Sequence, residues 1–277
     1  MDLGLHGHII LVTGGAKGIG AQVAKTLAAE GAVPVIIGHN AGDNAAAVAA
    51  IAAAGNRAFA LEAELTHTDA CRQAVERAAA LAGRIDGLVN NAGVNDRVGL
   101  ERGDTDGFLA SLRKNLVHYY DMARFALPWL KKSRGSIVNI GSKVAQTGQG
   151  GTSGYAAANG GRNALTREWA VELRHYGIRV NAVIVAECWT PMYAQWLDAQ
   201  PDPEAARRRI EASIPLGQRM TTAEEIADMV AFLLSPRSSH TTGQLIHVDG
   251  GYVHLDRASA GVSSDNPGSD AARANQE

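Results

Sequence analysis

His8-Ile9-Ile10-Leu11-Val12-Thr13-Gly14-Gly15-Ala16-Lys17-Gly18-Ile19-Gly20 is the stretch from which the rest of the chain can be read. The apolar run from His8 to Val12 does not alternate with polar residues, so it reads as a strand buried on both faces. A glycine-rich turn follows, then a helical pattern to about Glu30. Gly14 permits the tight turn, Gly18 lets backbone approach an anion, and Gly20 lets helix and strand pack closely. A helix that starts here offers free N–H groups and a positive dipole end. A glycine turn between a first strand and a first helix is therefore a cradle for the pyrophosphate of a dinucleotide.

The pattern repeats outward. Apolar runs at Ala32 to Ile37, Ala58 to Leu61, Gly87 to Asn90, Ser136 to Ile140, Arg179 to Ile184 and Gln244 to Val248 read as strands. Between them lie helical stretches at Ala45 to Ala54, Ala70 to Ala82, Thr105 to Leu130, Tyr155 to Tyr176 and Ala223 to Leu234. Such alternation predicts an α/β fold, a single-domain, doubly wound parallel sheet of the Rossmann type spanning 1–257. Ligands then sit at the carboxyl ends of the strands. Glu187 to Leu216 breaks the rhythm and carries Trp189, Tyr193 and Trp196, the composition of a lid over a site. Residues 258–277 are small, polar and aperiodic, and are expected to be a disordered tail.

Bulk composition narrows the classes. The 277 residues are 46% hydrophobic and carry a formal net charge of -2, so no global basic field exists to hold nucleic acid or an anionic membrane. The Arg207-Arg208-Arg209 run reads as a solvated helix face. Two distant cysteines, Cys71 and Cys188, make neither a disulfide framework nor a CxxC metal site, and no metal is expected. No stretch approaches the roughly 20 apolar residues that span a bilayer. The N-terminus lacks a signal peptide's basic flank and apolar run, so a cytoplasmic protein is expected.

Several side chains fall at the predicted carboxyl edge. Asn90-Asn91-Ala92-Gly93 ends the fourth strand and suits a cofactor wall, and Glu64-Leu65 ends the third strand, where an adenine would lie. The second strand ends Gly38-His39-Asn40, with no carboxylate for an adenosine 2′-hydroxyl. Lys17 and His39 are available to a 2′-phosphate, which favours NADP, with NAD possible. Tyr155 follows Ser142 by thirteen residues, at the head of a helix. A free tyrosine ionises at about pH 10, so it needs a cation beside it to act as a base near neutrality. Position 159 lies one turn along the same face, and it is Asn159.

TGGAKGIG, NNAG, Asn115 within a helix, Ser142 thirteen before Tyr155, and Thr190 after the sixth strand resemble the short-chain dehydrogenase/reductase family from about Leu5 to Tyr252. Within it, NNAGVNDRVGLE (90–101), NLVHYY (115–120), TGQGGTSGYAAA (147–158), LTREWAVELR (165–174), SPRSSHTTG (235–243) and VDGGYVHLDRA (248–258) are similar to the bacterial L-fucose dehydrogenase subfamily. The resemblance implies that Tyr155 exchanges the substrate proton and that Ser142 holds the reacting oxygen. It implies that Asn115 kinks its helix and holds a water in the proton path. Gly14, Ile19, Asn91, Ala92 and Gly93 then line the cofactor, Thr190 meets the nicotinamide carboxamide, and the assembly is a homotetramer.

Two positions depart from the family. Val185-Ala186 replaces a common Pro-Gly. More seriously, the family's lysine belongs at 159, where it binds the nicotinamide ribose and lowers the tyrosine pKa. Lowering it from about 10 to about 7 corresponds to roughly 4 kcal/mol. Asn159 can keep a ribose hydrogen bond but supplies no charge. The first expectation is a weakened enzyme, slow and best at alkaline pH, or a crippled version of an active parent. The second is rescue by Lys143 or Arg162, and the third a nucleotide-binding protein without turnover. Asn95, Asp96, Arg97, Gln146, Gln149, Thr152, Glu187 and Trp196 lie on segments expected above the nicotinamide. Polar groups between aromatic walls suit a sugar, oxidised at its anomeric hydroxyl, with Glu187 accepting from a sugar hydroxyl. A reductase of another small carbonyl compound is the alternative.

Overall fold

Ile9 and Leu11 pack on one side of the sheet, and Ile10 and Val12 on the other. That is why the first apolar run shows no polar alternation: both of its faces are covered. The computed structural model describes residues 1–256. Its strands are β1 (Ile9–Thr13), β2 (Val33–Gly38), β3 (Phe59–Glu62), β4 (Gly87–Asn90), β5 (Ser136–Ser142), β6 (Arg179–Val185) and β7 (Leu245–Val248). They form one seven-stranded sheet in the order β3-β2-β1-β4-β5-β6-β7, every pair parallel. The single-domain, doubly wound α/β fold read from the sequence is the fold observed.

The helices are α1 (Gly18–Ala29), α2 (Ala41–Ala53), α3 (Thr68–Ala82), α4 (Thr105–Leu112), α5 (His118–Ser133), α6 (Val144–Thr147), α7 (Ser153–Leu173), α8 (Pro191–Asp198), α9 (Pro203–Ala212) and α10 (Ala223–Leu234). Cys71, Val75 and Ala78 of α3, Tyr119, Met122 and Leu130 of α5, and Trp169 and Leu173 of α7 cover one face. Val23 and Leu27 of α1 with Ile226, Val230 and Leu233 of α10 cover the other. Burying each such large apolar side chain contributes about 1.5–3 kcal/mol, against a comparable entropy cost of ordering the chain.

Two expectations are corrected. The helix foreseen over Thr105 to Leu130 is two helices joined by a π turn, Arg113–Val117. Its cause is Asn115, whose Nδ2 donates to the Ser111 carbonyl at 3.1 Å while its Oδ1 accepts from the Val94 amide at 2.8 Å. β3 ends at Glu62, so Glu64 and Leu65 lie beyond it. The stretch from Glu187 to Leu216, read as the composition of a lid, contains α8 and α9. The tail expected over 258–277 lies outside the described residues.

Candidate active site

The strand order reverses between β1 and β4: the chain runs from β1 out to β3 on one side, then crosses to β4 and continues outward. The carboxyl ends of these two strands flank the crevice where such folds bind ligands. Here the two ends are bolted together. The Asn91 and Ala92 amides donate to Thr13 Oγ1 at 2.9 and 3.1 Å, and Asn91 Nδ2 donates to the Thr13 and Gly14 carbonyls at 2.9 and 3.2 Å. Gly14 has φ +61°, and a Cβ at Gly20 would lie 2.2 Å from the Gly14 oxygen. Those two positions therefore require glycine.

The residues present fit a dinucleotide. No side chain caps the start of α1, and its first turn holds no acidic residue, so its leading N–H groups are open to a phosphate. Thr190 stands over the turn, its methyl 3.6 Å from where a Gly18 Cβ would be, and its Oγ1 accepts from the Tyr193 amide to start α8. A cavity of about 350 Å³ opens between Lys17–Gly18 and Trp189–Pro191. Gln22, Lys25 and Ala223 also line it, and Tyr155 does not.

At the adenine end, Lys17 is not free: its Nζ lies 2.7 Å from Asp43 Oδ2 at the start of α2. His39 is exposed. Glu64 accepts from the amide and hydroxyl of Thr66, and the amide above all holds its carboxyl below the usual range. Leu65 packs into the core, and its carbonyl accepts from the Cys71 thiol at 3.4 Å. Ile19 is half-buried against the α10 side.

At the other end, Ser142 closes β5 in register with Val185, and Tyr155 stands in the first turn of α7. A buried chain of amides fixes α7 to the sheet. Asn90 Nδ2 donates to Asn139 Oδ1 at 3.0 Å, Asn139 Nδ2 to Thr166 Oγ1 at 2.9 Å, and Thr166 Oγ1 to the Arg162 carbonyl at 2.8 Å. Asn159 departs from expectation. It is fully buried, its Nδ2 donates to the Tyr155 carbonyl at 2.9 Å, and its Oδ1 accepts from Arg162 Nη1 at 3.2 Å. Its amide is spent inside the protein rather than turned toward a ribose. The Asn115 carbonyl accepts from Arg162 Nε at 2.7 Å.

The substrate rim is built around Glu187, with both oxygens engaged. Oε1 pairs with Lys143, and Oε2 accepts from Tyr193 Oη at 2.7 Å. Burial, and then the Glu187 charge, push the Tyr193 phenol well above its usual range. Lys143 also lies over the Tyr252 ring at 3.9 Å, and Tyr193 meets Trp196 edge-on at 5.4 Å. Gln146 reaches His247 at 2.7 Å. Asp96 Oδ1 accepts from Ser111 Oγ at 2.8 Å, with Lys114 3.8 Å from its other oxygen. Asn95 Oδ1 accepts from the Arg97 amide at 3.3 Å, Arg97 and Gln149 are exposed, and Thr152 is buried. Sequence reasoning missed Tyr119, His247 and Tyr252. Nothing in their local pattern sets them apart, because only the folded chain brings them to the site.

Crevice, glycine turn, and a serine and tyrosine beyond it define a nucleotide-dependent oxidoreductase. A family model described as Enoyl-(Acyl carrier protein) reductase matches residues 14–253, and the chain belongs to the short-chain dehydrogenase/reductase family. It is 37% identical over 251 residues to the 3-oxoacyl-(acyl-carrier-protein) reductase FabG of Thermotoga maritima, covering 90% of this chain and 99% of that one. It is 34% identical over 246 residues to the L-fucose dehydrogenase of Bos taurus, covering 88% and 89%. Among solved structures, one titled Crystal structure of Cj0485 dehydrogenase superposes with a TM-score of 0.89 at 43% identity, covering 93% of this chain and 98% of that one.

Proposed function

We propose that this oxidoreductase oxidises the anomeric hydroxyl of an L-fucose-like aldose to the lactone. Tyr155, as phenolate, takes the hydroxyl proton, and Ser142 donates a hydrogen bond to the same oxygen. When bound, the nicotinamide of NAD(P)⁺ accepts the hydride from C1. Aldose and NAD(P)⁺ thus become lactone, NAD(P)H and a proton, which Tyr155 returns to solvent. Asn91, Ala92, Gly93 and Thr190 wall the cofactor, and Asn115 braces the floor of the site.

The observation that carries the sugar reading is the Lys143–Glu187–Tyr193 cluster beside Trp196. It offers hydrogen-bonding heads next to an aromatic wall, the chemistry a pyranose needs. The likeness to a named L-fucose dehydrogenase supports it. Asn95, Arg97 and Gln149 complete the rim in this proposal. The likeness to a 3-oxoacyl reductase supports the second reading, a reductase of another carbonyl compound. Turnover of L-fucose against a panel of aldoses and β-ketoacyl thioesters, with both cofactors, separates them. Turnover confined to the thioesters would sink the sugar reading.

For the cofactor we propose NADP ahead of NAD, on the missing carboxylate at the end of β2. The Lys17–Asp43 pair weighs against it, because a 2′-phosphate must compete with Asp43 for Lys17. A cytoplasmic homotetramer belongs to the same proposal. Exposed Leu109, Val117 and Tyr120 on the α4–α5 rod and Val171 on α7 support association. Sedimentation equilibrium reads the assembly directly. No helix among the described residues is long and apolar enough to cross a membrane.

A further inference from the structure

Arg162 is a cation in the wrong place for stability. It is 3% exposed, and among the described residues no carboxylate pairs with it. Neutral oxygens hold it instead: the Asn115 carbonyl at 2.7 Å, the Ile140 carbonyl at 3.2 Å and Asn159 Oδ1 at 3.2 Å. The Tyr119 ring lies 4.2 Å from its Cζ. Desolvating a charge without a counter-ion costs several kcal/mol, and an aliphatic side chain of the same volume avoids that cost. Its Nη2 is buried without a partner and points at Gly93, where a Cβ would come within 2.9 Å. The Tyr155 ring centroid is 6.0 Å from Cζ. A permanently protonated group, unpaired and buried beside a phenol, favours the ionised phenol.

We propose that Arg162 is the cation of this site, a positioning residue whose charge holds Tyr155 ready as a base. Asn159 and Arg162 then act as one unit, the amide oxygen of the first seating the guanidinium of the second. This rests on the reading that Tyr155 takes the substrate proton. The other charged or titratable groups on the elements packed around α7 offer no equivalent. Lys143 is paired with Glu187 and Lys114 lies by Asp96. His118, buried on α5, stays neutral above about pH 4, and Tyr119, buried beside it, stays neutral up to about pH 12. Restoring a lysine at 159 alone would therefore set a second buried cation against Arg162 rather than repair a defect.

The test is a spectroscopic pH titration of the Tyr155 phenolate in the full chain, needing neither cofactor nor substrate. Each protein is compared with its own Tyr155→Phe counterpart, which removes every other tyrosine from the signal. In Arg162→Met the phenolate is expected to emerge about one pH unit or more higher than in the wild type. Arg162→Lys, and the pair Asn159→Lys with Arg162→Met, are expected to stay near the wild type, while Asn159→Lys alone melts at lower temperature. Turnover of Arg162→Met at neutral pH is expected to drop about 100-fold and to recover as pH rises. An unmoved phenolate signal in Arg162→Met overturns the proposal. So does an Asn159→Lys single variant that keeps its melting temperature and gains activity. If Arg162→Met does not fold, the double variant decides: a signal near the wild type supports the proposal, and one displaced upward sinks it. A wild type inert toward every sugar removes the functional reading and leaves the titration result standing.

Discussion

Asp43 and a 2′-phosphate have opposite claims on Lys17. The side chains are 70% and 32% exposed, so the pair is weak and screened. Asp43→Asn frees the lysine, and the ratio of kcat/KM for NADP over NAD is expected to rise about threefold to fivefold, the scale of an exposed ion pair. A ratio that stays put would take Lys17 out of the cofactor site. Glu187 and Lys143 form the opposite case, with side chains only 15% and 10% exposed. Glu187→Ala strands the lysine charge, a change expected to cost about 3 kcal/mol or more in denaturant unfolding. Replacing both partners, as Lys143→Met with Glu187→Leu, is expected to recover most of that stability. L-fucose binding should remain weak in the double variant. Sugar affinity equal to the wild type would place the cluster outside the pocket.

At the scale of elements, α7 has to present Tyr155 to the crevice while its far end packs as ordinary core. The Asn90–Asn139–Thr166 chain sets that register from the middle of the sheet. Asn139→Leu takes one acceptor from the Asn90 amide, which keeps the Tyr119 carbonyl at 3.3 Å, and removes the donor to the Thr166 hydroxyl, which keeps its bond to the Arg162 carbonyl. With two hydrogen bonds lost, the expected cost is about 1–3 kcal/mol, read from the denaturation midpoint. Thr166→Val, which strands one donor, should lose about half as much. These elements were legible in the sequence because strands buried on both faces appear as uninterrupted apolar runs, and the glycine turn needs only its own neighbours to be recognised. The π turn was legible only through the resemblance, which puts a kink at Asn115, and not in the local pattern. It depends on Asn115 reaching Ser111 and Val94, the second of them twenty-one residues away. The resemblance leaves Asn159 able to keep a ribose hydrogen bond, because it stands where the family's lysine binds the ribose. Spacing cannot report that Arg162, three residues on, draws the amide inward. Glu187 follows a strand end as expected, but its partners Lys143, just past β5, and Tyr193, on α8, meet it only in the folded chain.

On the scale of the whole molecule, the face covered by α3, α5 and α7 joins core to site, and His118 lies on that side. Its ring is buried, its Nε2 lies 2.9 Å from the Lys114 carbonyl, and its Nδ1 has no partner among the described residues. Burial, reinforced by the nearby Arg162 charge, lowers its pKa from the ordinary 6.5 to about 4. A depressed folded-state pKa means that the unfolded chain binds the proton first as pH falls. Stability carried by the neutral ring is therefore complete above about pH 6.5, declines below it, and is gone once pH passes about 4. At 1.36 kcal/mol per unit the loss is on the order of 3 kcal/mol. His118→Gln removes the titration and keeps a donor for the Lys114 carbonyl. Unfolding free energies of both proteins, measured by denaturant from about pH 7 to about pH 4, should diverge in that window only, the wild type falling more steeply. Parallel curves would mean that the ring takes up its proton over the same pH range folded and unfolded, so that burial does not depress its pKa.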